Sequence, residues 1–411
     1  MNFSRISTFS WRYFKAKKST NAINIISWVS VSAIIVGTAS LIIILSAFNG
    51  FESLVKSLYS SYYADIKIRP SKGKVLVLSE AQFHLIRNKP GVQAVSLGIE
   101  EKALLQNESL QTIVNLKGVD SQYVKVSGVS GQLYRGSFNT GTSEKPGLVL
   151  GVGVEQALGI VSDRALFPIS VYLPKKGISL PTNPLEALSV ATAYPKGSFA
   201  IQSEFDNKFV FTDLGFMKTY LNYSADEYSY VELSVVNYNN VSEIKKSIGD
   251  VLGAGYLIED RYEQNKTLYA TIRLEKFAIY GIFSLILIVA AFNMIGALSM
   301  LVLEKKKDIQ ILQAMGADSG VIRKIFLAEG VLLAFIGTAS GIVLALLIYY
   351  LQVTYKLVPL QGASFLIDYY PVKLVATDFI AVVSTVFLIG ITASWFPAAR
   401  AAKQGIIELH S

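Results

Sequence analysis

Four stretches of this chain each run past 20 residues with almost no charge, and that pattern restricts the fold more than any other feature. A hydrocarbon core about 30 Å thick takes roughly 20 apolar residues of helix. Inside it each backbone N–H and C=O needs a partner within the segment, which a helix supplies. Ile23–Phe48 and Phe277–Leu303 contain no charged residue; Ile325–Leu351 holds only Glu329 and Val375–Phe396 only Asp378, each near its start. A signal peptide is the alternative for the first stretch, with Leu45-Ser46-Ala47 as a weak cleavage-like triplet. An apolar signal core runs only about 7–15 residues, however, so an uncleaved first helix is expected. Charged residues make up 17% of the chain against about 25% in soluble domains, which agrees.

Orientation follows from Lys and Arg in the short flanks. Arg5, Arg12, Lys15, Lys17 and Lys18 precede the first helix, Lys305, Lys306, Lys307, Arg323 and Lys324 lie between the second and third, and Arg400 and Lys403 follow the fourth. Both termini and the middle loop are therefore expected in the cytoplasm, and the segment from Phe51 to Lys276 outside. That segment carries 24 basic and 23 acidic residues, so the net +8 of the whole chain sits mainly on the cytoplasmic flanks. The charge reads as a topology signal, and nucleic acid is not an expected partner.

The expected architecture is an integral membrane α-helical protein with four transmembrane helices and a large mixed α/β extracytoplasmic domain inserted between helices 1 and 2. Its parts are a basic N-terminus (1–22), helix 1 (23–50), the α/β domain with helical stalks (51–276), helix 2 (277–303), a cytoplasmic loop with a short helix (304–324), helix 3 (325–351), a short outer connection (352–374), helix 4 (375–396) and a tail (397–411). Apolar spacing at Phe51, Leu54, Val55 and Leu58 predicts that the first helix continues outward as a stalk. Within the domain, 64–69 alternates as a strand, Ser79 can cap a helix to Arg87, and 92–106 with 110–117 reads as a hairpin turning at Asn107-Glu108. Residues 149–158 read as a Gly-punctuated helix, 165–173 as a strand, and the proline-containing stretch 174–195 as irregular. A strand near 209–211, a helix at 213–221, a strand at 229–236 and a helix near 241–251 complete the pattern.

Catalytic chemistry finds no constellation here. HExxH, GxSxG and Walker A motifs are missing from the sequence. Gly151-Val152-Gly153 lacks the third glycine of a dinucleotide loop, and Glu100, Glu101 and Asp206 read as solvated carboxylates rather than acid/base groups. With no cysteine, and with His84 and His410 far apart, no metal site is expected. The chain is thus expected to bind no cofactor of its own, and the energy for any transport would come from another subunit.

The most informative run is Glu304–Ala317. Ile309, Leu312 and Met315 fall near one helical face with Lys307 and Asp308 at the charged start, Gly316 suits a helix end, and Asp318 can cap the next helix. Such a helix either docks into a groove of a partner protein or lies on lipid headgroups. This run resembles the coupling segment of permeases in the lipoprotein-releasing, macrolide-exporter and cell-division class of ABC transporters. Leu274-Glu275-Lys276-Phe277, Val289–Ile295, Phe48-Asn49-Gly50-Phe51, Leu116–Asp120 and Gly147–Gly159 are similar to the lipoprotein-releasing subgroup. Trp395–Ala402 fits as well, whereas Gln404–Leu409 replaces a proline-led terminal motif.

The resemblance implies two permease subunits and two ATPase subunits acting as a lever in the bacterial inner membrane, with the large domain periplasmic. A lipoprotein would seat its acyl chains between first and second helices and pass to a periplasmic carrier. Glu304, Lys307, Asp308, Ile309, Leu312, Met315, Gly316 and Ala317 would then couple to the ATPase. Leu45, Phe48, Phe51 and Leu54, with Ile279 and Phe283, are bulky enough to line the acyl cavity; ordinary packing or lipid contact is the alternative. Leu180, Pro181, Pro184 and Leu185 lie where a carrier-binding hook would protrude, or form a plain surface loop. Asn293 reads as an interhelical hydrogen-bonding residue, and Gly337/Gly341 as a close helix contact. A macrolide-type export permease and a signalling permease controlling a cell-wall hydrolase are the alternatives.

Overall fold

A computed structural model describes residues 21–175, 188–360 and 369–403. Its helices of eight or more residues are α1 Asn21–Tyr62, α2 Glu80–Arg87, α3 Leu214–Leu221, α4 Val241–Leu252, α5 Lys266–Glu304, α6 Lys306–Ala314, α7 Ser319–Tyr355 and α8 Ala376–Lys403. Contacts divide these residues into two units: a helical one (21–53, 271–360 and 369–403) and an α/β one (54–270).

The helical unit is built on α1, α5, α7 and α8, all long and apolar enough to cross a membrane. Even α8, with 28 residues, is about 42 Å long against a hydrocarbon core of about 30 Å. α1 runs 42 residues, so the apolar spacing through Leu58 carries the helix well past its charge-free run. Small residues set how closely the helices approach. A Cβ added at Gly337 would lie 2.6 Å from Ile34 Cγ2, and one at Gly341 would lie 2.9 Å from the Ile35 carbonyl oxygen. The pair therefore brings α7 against the α1 backbone at a distance no larger residue allows. Gly390 on α8 receives Ala334 of α7 in the same way.

In chain order the α/β elements follow α1 and precede α5, and among their strands β2 (Leu76–Val77), β5 (Leu133–Gly136) and β10 (Glu227–Tyr228) are short. β3 (Val92–Asn107) and β4 (Leu110–Val119) form the expected hairpin, with Asn107 opposite Leu110. β3 serves two lobes. Its first half pairs with β11 (Tyr230–Val235), beyond which lie β1 (Ile66–Pro70) and β12 (Tyr256–Asp260). α2 and α4 contribute Ile86, Ile244 and Ile248 to the core of this lobe, alongside Ile66, Val231 and Leu233. Ser79 and Gln82 close a reciprocal capping box at the start of α2.

The second half of β3 enters a ring. β4 pairs with β9 (Phe209–Asp213), β9 with β6 (Gly147–Gly151), β6 with β8 (Leu188–Phe199), and β7 (Ile169–Pro174) bonds both β8 and β3. The path β3–β4–β9–β6–β8–β7 thus returns to β3, which leaves these strands without a free edge on that circuit. Leu105, Leu116, Leu150, Val171 and Val210 pack with Phe216 and Met217 of α3 in its core.

Lys117 of β4 is only 1% exposed and lies 3.2 Å from Glu232 Oε1 of β11. Its ammonium is also 4.8 Å from the Tyr230 ring centre, 5.1 Å from Tyr62 and 5.4 Å from Tyr123. A buried cation needs such compensation, because leaving water costs it more than any single contact returns.

Three local expectations are corrected. Residues 149–158 are not one helix: β6 ends at Gly151, and a short helix spans Val152–Ala157. β6 is buried throughout between β8 and β9, so its apolar run lacks the alternation that marks a one-sided strand. A Cβ at Gly151 would lie 2.2 Å from the Asp206 carbonyl oxygen, so this glycine serves close packing rather than a phosphate loop. The stretch 174–195 is not irregular where described: β8 starts at Leu188 and accommodates Pro195 where its register with β6 shifts. A proline is tolerated there because the ladder is already interrupted. The strand expected at 165–173 begins only at Ile169, with Leu166 and Phe167 exposed before it.

Candidate coupling and substrate surfaces

α6 is held at both ends by local chemistry. Lys305 pairs with Asp308 at 3.2 Å, one turn on. Gly316 takes φ +90, which favours glycine, and the Ala317 N–H donates back to the Leu312 carbonyl at 3.0 Å. Asp318 then caps α7 by accepting from the Val321 N–H.

The apolar face expected at Ile309, Leu312 and Met315 is split. Ile309 is 3% exposed and belongs to the core of the helical unit, and Leu312 is half-buried. Met315 is 79% exposed, and Ile311, which the sequence reading passed over, is 59% exposed. Lys307, Ile311 and Met315 fall four residues apart and are all exposed, so they form the outward stripe of this short helix. Ile309 instead anchors it from below. Glu304 ends α5, and Asp308, Ala317 and Glu304 are half-buried.

Of the residues expected to line an acyl cavity, Leu45 is 2% exposed and sealed in the helical core, which removes it from any open surface of this chain. Phe48, Phe51, Ile279 and Phe283 are half-buried, and Phe51 stacks on Tyr370 with ring centres 6.3 Å apart. Leu54 falls within the α/β unit. Leu180, Pro181, Pro184 and Leu185 lie outside the described residues. Asn293, expected at a helix contact, is exposed, so the other helices of its own chain do not cover it.

A polar knot that the sequence reading missed joins three helices. Asn49 of α1 donates through Nδ2 to Asp378 Oδ2 of α8 at 2.6 Å, and Lys276 of α5 donates to Asn49 Oδ1 at 2.7 Å while lying 3.4 Å from Asp378. Gly50 follows Asn49 because a Cβ there would lie 2.1 Å from the Pro371 carbonyl oxygen. Asn49 and Lys276 belong to two of the motif segments noted above, and Asp378 is the lone acid of the fourth span. Only the fold reveals that the three meet.

In the α/β unit, Glu101 pairs with Lys74 at 2.8 Å and Glu100 with Lys67 at 3.6 Å, as surface carboxylates do. Asp206 departs from that expectation. It is half-buried and accepts from the Ile201 N–H at 2.9 Å, and burial pushes its carboxyl up to about 6 even though that bond favours the charged form. Among the described residues no group of His, Cys, Asp and Glu is arranged to hold a metal ion.

A family model of the MacB-like periplasmic core domain matches residues 27–251, and one of the FtsX-like permease C-terminal matches residues 280–406. The chain is 26% identical to the lipoprotein-releasing system transmembrane protein LolE of Haemophilus influenzae over 96% of each chain. It is 25% identical to the lipoprotein-releasing system transmembrane protein LolC of Xylella fastidiosa over 95% of each. The macrolide export ATP-binding/permease protein MacB of Vibrio parahaemolyticus is 23% identical over 93% of this chain and 57% of that longer protein. The chain therefore belongs to the permeases that join a MacB-like periplasmic core domain to an FtsX-like C-terminal domain, and within them it is LolC/LolE-like.

Proposed function

We propose that this chain is the permease subunit of an inner-membrane ABC transporter that releases lipoproteins to a periplasmic carrier, driven by ATP hydrolysed with Mg on separate ATPase subunits. The observation that carries the reading is the match, over nearly the whole length of both chains, to relatives named for lipoprotein release. In this reading the α/β unit is periplasmic, both termini and α6 are cytoplasmic, and a second permease subunit completes the assembly. Lys307, Ile311 and Met315 present the surface that meets the ATPase, with Ile309 transmitting the contact to the bundle. The outward half of α6 favours a protein groove over headgroups, since an apolar pair flanked by one lysine is a small membrane anchor. The lipoprotein's acyl chains lie against Phe48, Phe51, Ile279 and Phe283, and residues 180–185 are a site for carrier contact.

The test is reconstitution of the permease complex with its ATPase in proteoliposomes, with transfer of a triacylated lipoprotein to soluble carrier as the readout. Ile311→Asp and Met315→Arg are expected to abolish ATPase association and release while leaving the thermal transition unchanged. Full ATPase association in both variants would sink the docking assignment, and intact ATP hydrolysis without release in the wild type would sink the transport reading. The similarity to a macrolide exporter, over 93% of this chain and 57% of that protein, supports a second reading, export toward an outer-membrane duct. Cross-links from the α/β unit to such a duct would favour it.

A further inference from the structure

At the end of α7 the chain folds back and is fastened by one buried amide. Gln352 accepts from the Val358 N–H at 2.9 Å and donates to the carbonyl of Tyr370 at 3.0 Å. Val358 and Tyr370 are bonded to each other as well, at 3.0 Å. Beneath this pinch an apolar cavity of about 270 Å³ opens between α1 and α7, walled by Ile42, Ala47, Ala345, Ile348, Tyr370 and Leu374. Ile348 and Val358, at its rim, are exposed.

The surroundings of that rim change character. Tyr349, Tyr350, Tyr355, Tyr369 and Tyr370 gather in the last turns of α7 and the connection after it, and tyrosine is enriched where a bilayer meets water. Two exposed lysines belong to the same connection, with the Lys373 ammonium 3.5 Å from Ser53 Oγ. Lys356 ends α7 with its ammonium 4.4 Å from the centre of the Tyr369 ring, and Lys373 lies between the lining residues Val372 and Leu374. The nearest described carboxylate in sequence, Asp378, is already engaged by Asn49 and Lys276. An apolar slot under an aromatic, cationic collar is complementary to an amphiphile with a hydrocarbon tail and an anionic head.

The geometry points to a bound bilayer glycerophospholipid, one acyl chain in this cavity and its phosphate at Lys356 and Lys373. A methylene is close in size to a water molecule, whose share of liquid volume is about 30 Å³, so the cavity takes roughly nine of them. The bilayer, rather than the transported lipoprotein, supplies the occupant: the walls come from α1, α7 and the connection, and none of them from α5, which carries Ile279 and Phe283. The lipid fills a gap that would otherwise leave its lining without partner atoms. This inference rests on the membrane placement of the four helices and not on the transport reading.

The complex, with its ATPase and partner permease, is reconstituted in nanodiscs of phosphatidylethanolamine and phosphatidylglycerol that carry a diazirine on one acyl chain. After photolysis, peptides containing 345–352 and 370–374 are expected to be labelled well above those around Phe335 and Leu388, which are exposed on the same unit. Ile348→Trp, a rim position that tolerates bulk, should lower the pocket labelling by more than about tenfold, because most of the chain burial is lost. Lys356→Gln should lower it by roughly fivefold. Labelling no higher than at the control face, or unchanged in Ile348→Trp, overturns the proposal. Labelling that arises only when a diazirine-bearing lipopeptide is added also overturns it, by assigning the cavity to substrate. Lipoprotein release is followed in parallel: release without pocket labelling defeats this inference alone, and labelling without release defeats the transport reading alone.

Discussion

The two units of this chain differ in where small residues are buried. From Ala334 to Ala345 of α7 the buried positions are all small, namely Ala334, Gly337, Thr338, Gly341 and Ala345, while Phe335, Val343 and Leu344 are exposed; its earlier turns bury Ile322, Ile325, Phe326 and Leu333. In the α/β unit the large residues are inside: Ile66, Leu116, Leu150, Phe211 and Phe216 are almost wholly covered. Water drives the second arrangement, since burying Leu or Phe removes apolar surface from it. Lipid tails are as apolar as leucine, so burying large side chains such as Leu41, Leu287 and Met294 gains the helices packing more than hydrophobic free energy, and close backbone approach at the small residues adds to it. Buried charge occurs in both units. In the helical unit Glu329 of α7 is 1% exposed and Lys276 lies 3.4 Å from Asp378, while the α/β unit encloses Lys117 and Glu232 among aromatic rings.

The strongest way to break this comparison is to remove one member of the enclosed pair. Lys117→Ala leaves Glu232 buried with its closest cation gone and should cost about 3–5 kcal/mol, measured by denaturation of the purified chain. A loss under about 1 kcal/mol would mean that the cage is not the load it appears from its burial.

The helical unit is tested next. Gly341→Leu must push aside Thr38 or the Ile35 carbonyl, so a loss of about 1–3 kcal/mol is expected from overpacking. Gly296→Leu, where an added Cβ meets nothing within 4 Å, should leave the thermal transition of this chain in place. Equal losses from the two would show that α7 is not packed on α1 as described.

A smaller effect is expected at the polar knot. Hydrogen bonds between membrane helices average about 0.6 kcal/mol and reach about 1.7, so Asp378→Ala should lower thermal stability by no more than that range. Its contribution to transport would be read separately, as a fall in lipoprotein release at unchanged ATP hydrolysis.

A further effect is one of pH. The Asp206 carboxyl ionises near 3.8 in an ordinary setting and at about 6 in the fold. The folded chain keeps this proton where the unfolded chain has lost it, so the contribution is complete below 3.8 and fades as pH rises toward about 6. Asp206→Asn should make the decline in stability across that window shallower, as followed by thermal scans at a series of pH values. An unchanged slope would show that this carboxyl is no more buried than its neighbours.

How much of this was legible beforehand depends on whether a signal is local. The capping box at Ser79, the β3–β4 hairpin and the helix end at Gly316 are written in a few adjacent residues and were readable. The β6 strand was misread because burial on both faces erases the period of two. The face of α6 was misread for a related reason: helical spacing groups Ile309, Leu312 and Met315, but which neighbour lies beneath is set by the bundle. The Asn49–Lys276–Asp378 knot was unreadable, because its members are separated by more than a hundred residues.

The sequence by itself determined that four helices are built for a bilayer, that they bracket an α/β segment, and which short runs resemble a lipoprotein-releasing permease. Length, charge and periodicity fix the helices and the segment between them, since the need to satisfy backbone groups in hydrocarbon acts on each segment alone; the resemblance rests on the motif residues themselves. Tertiary structure alone decided that β3, β4, β9, β6, β8 and β7 close into a ring, that Ile309 turns inward while Ile311 and Met315 turn out, and that an apolar cavity opens beneath Gln352. Each of those depends on what lies across a contact between distant parts of the chain, and side-chain spacing along one element carries no record of its partner.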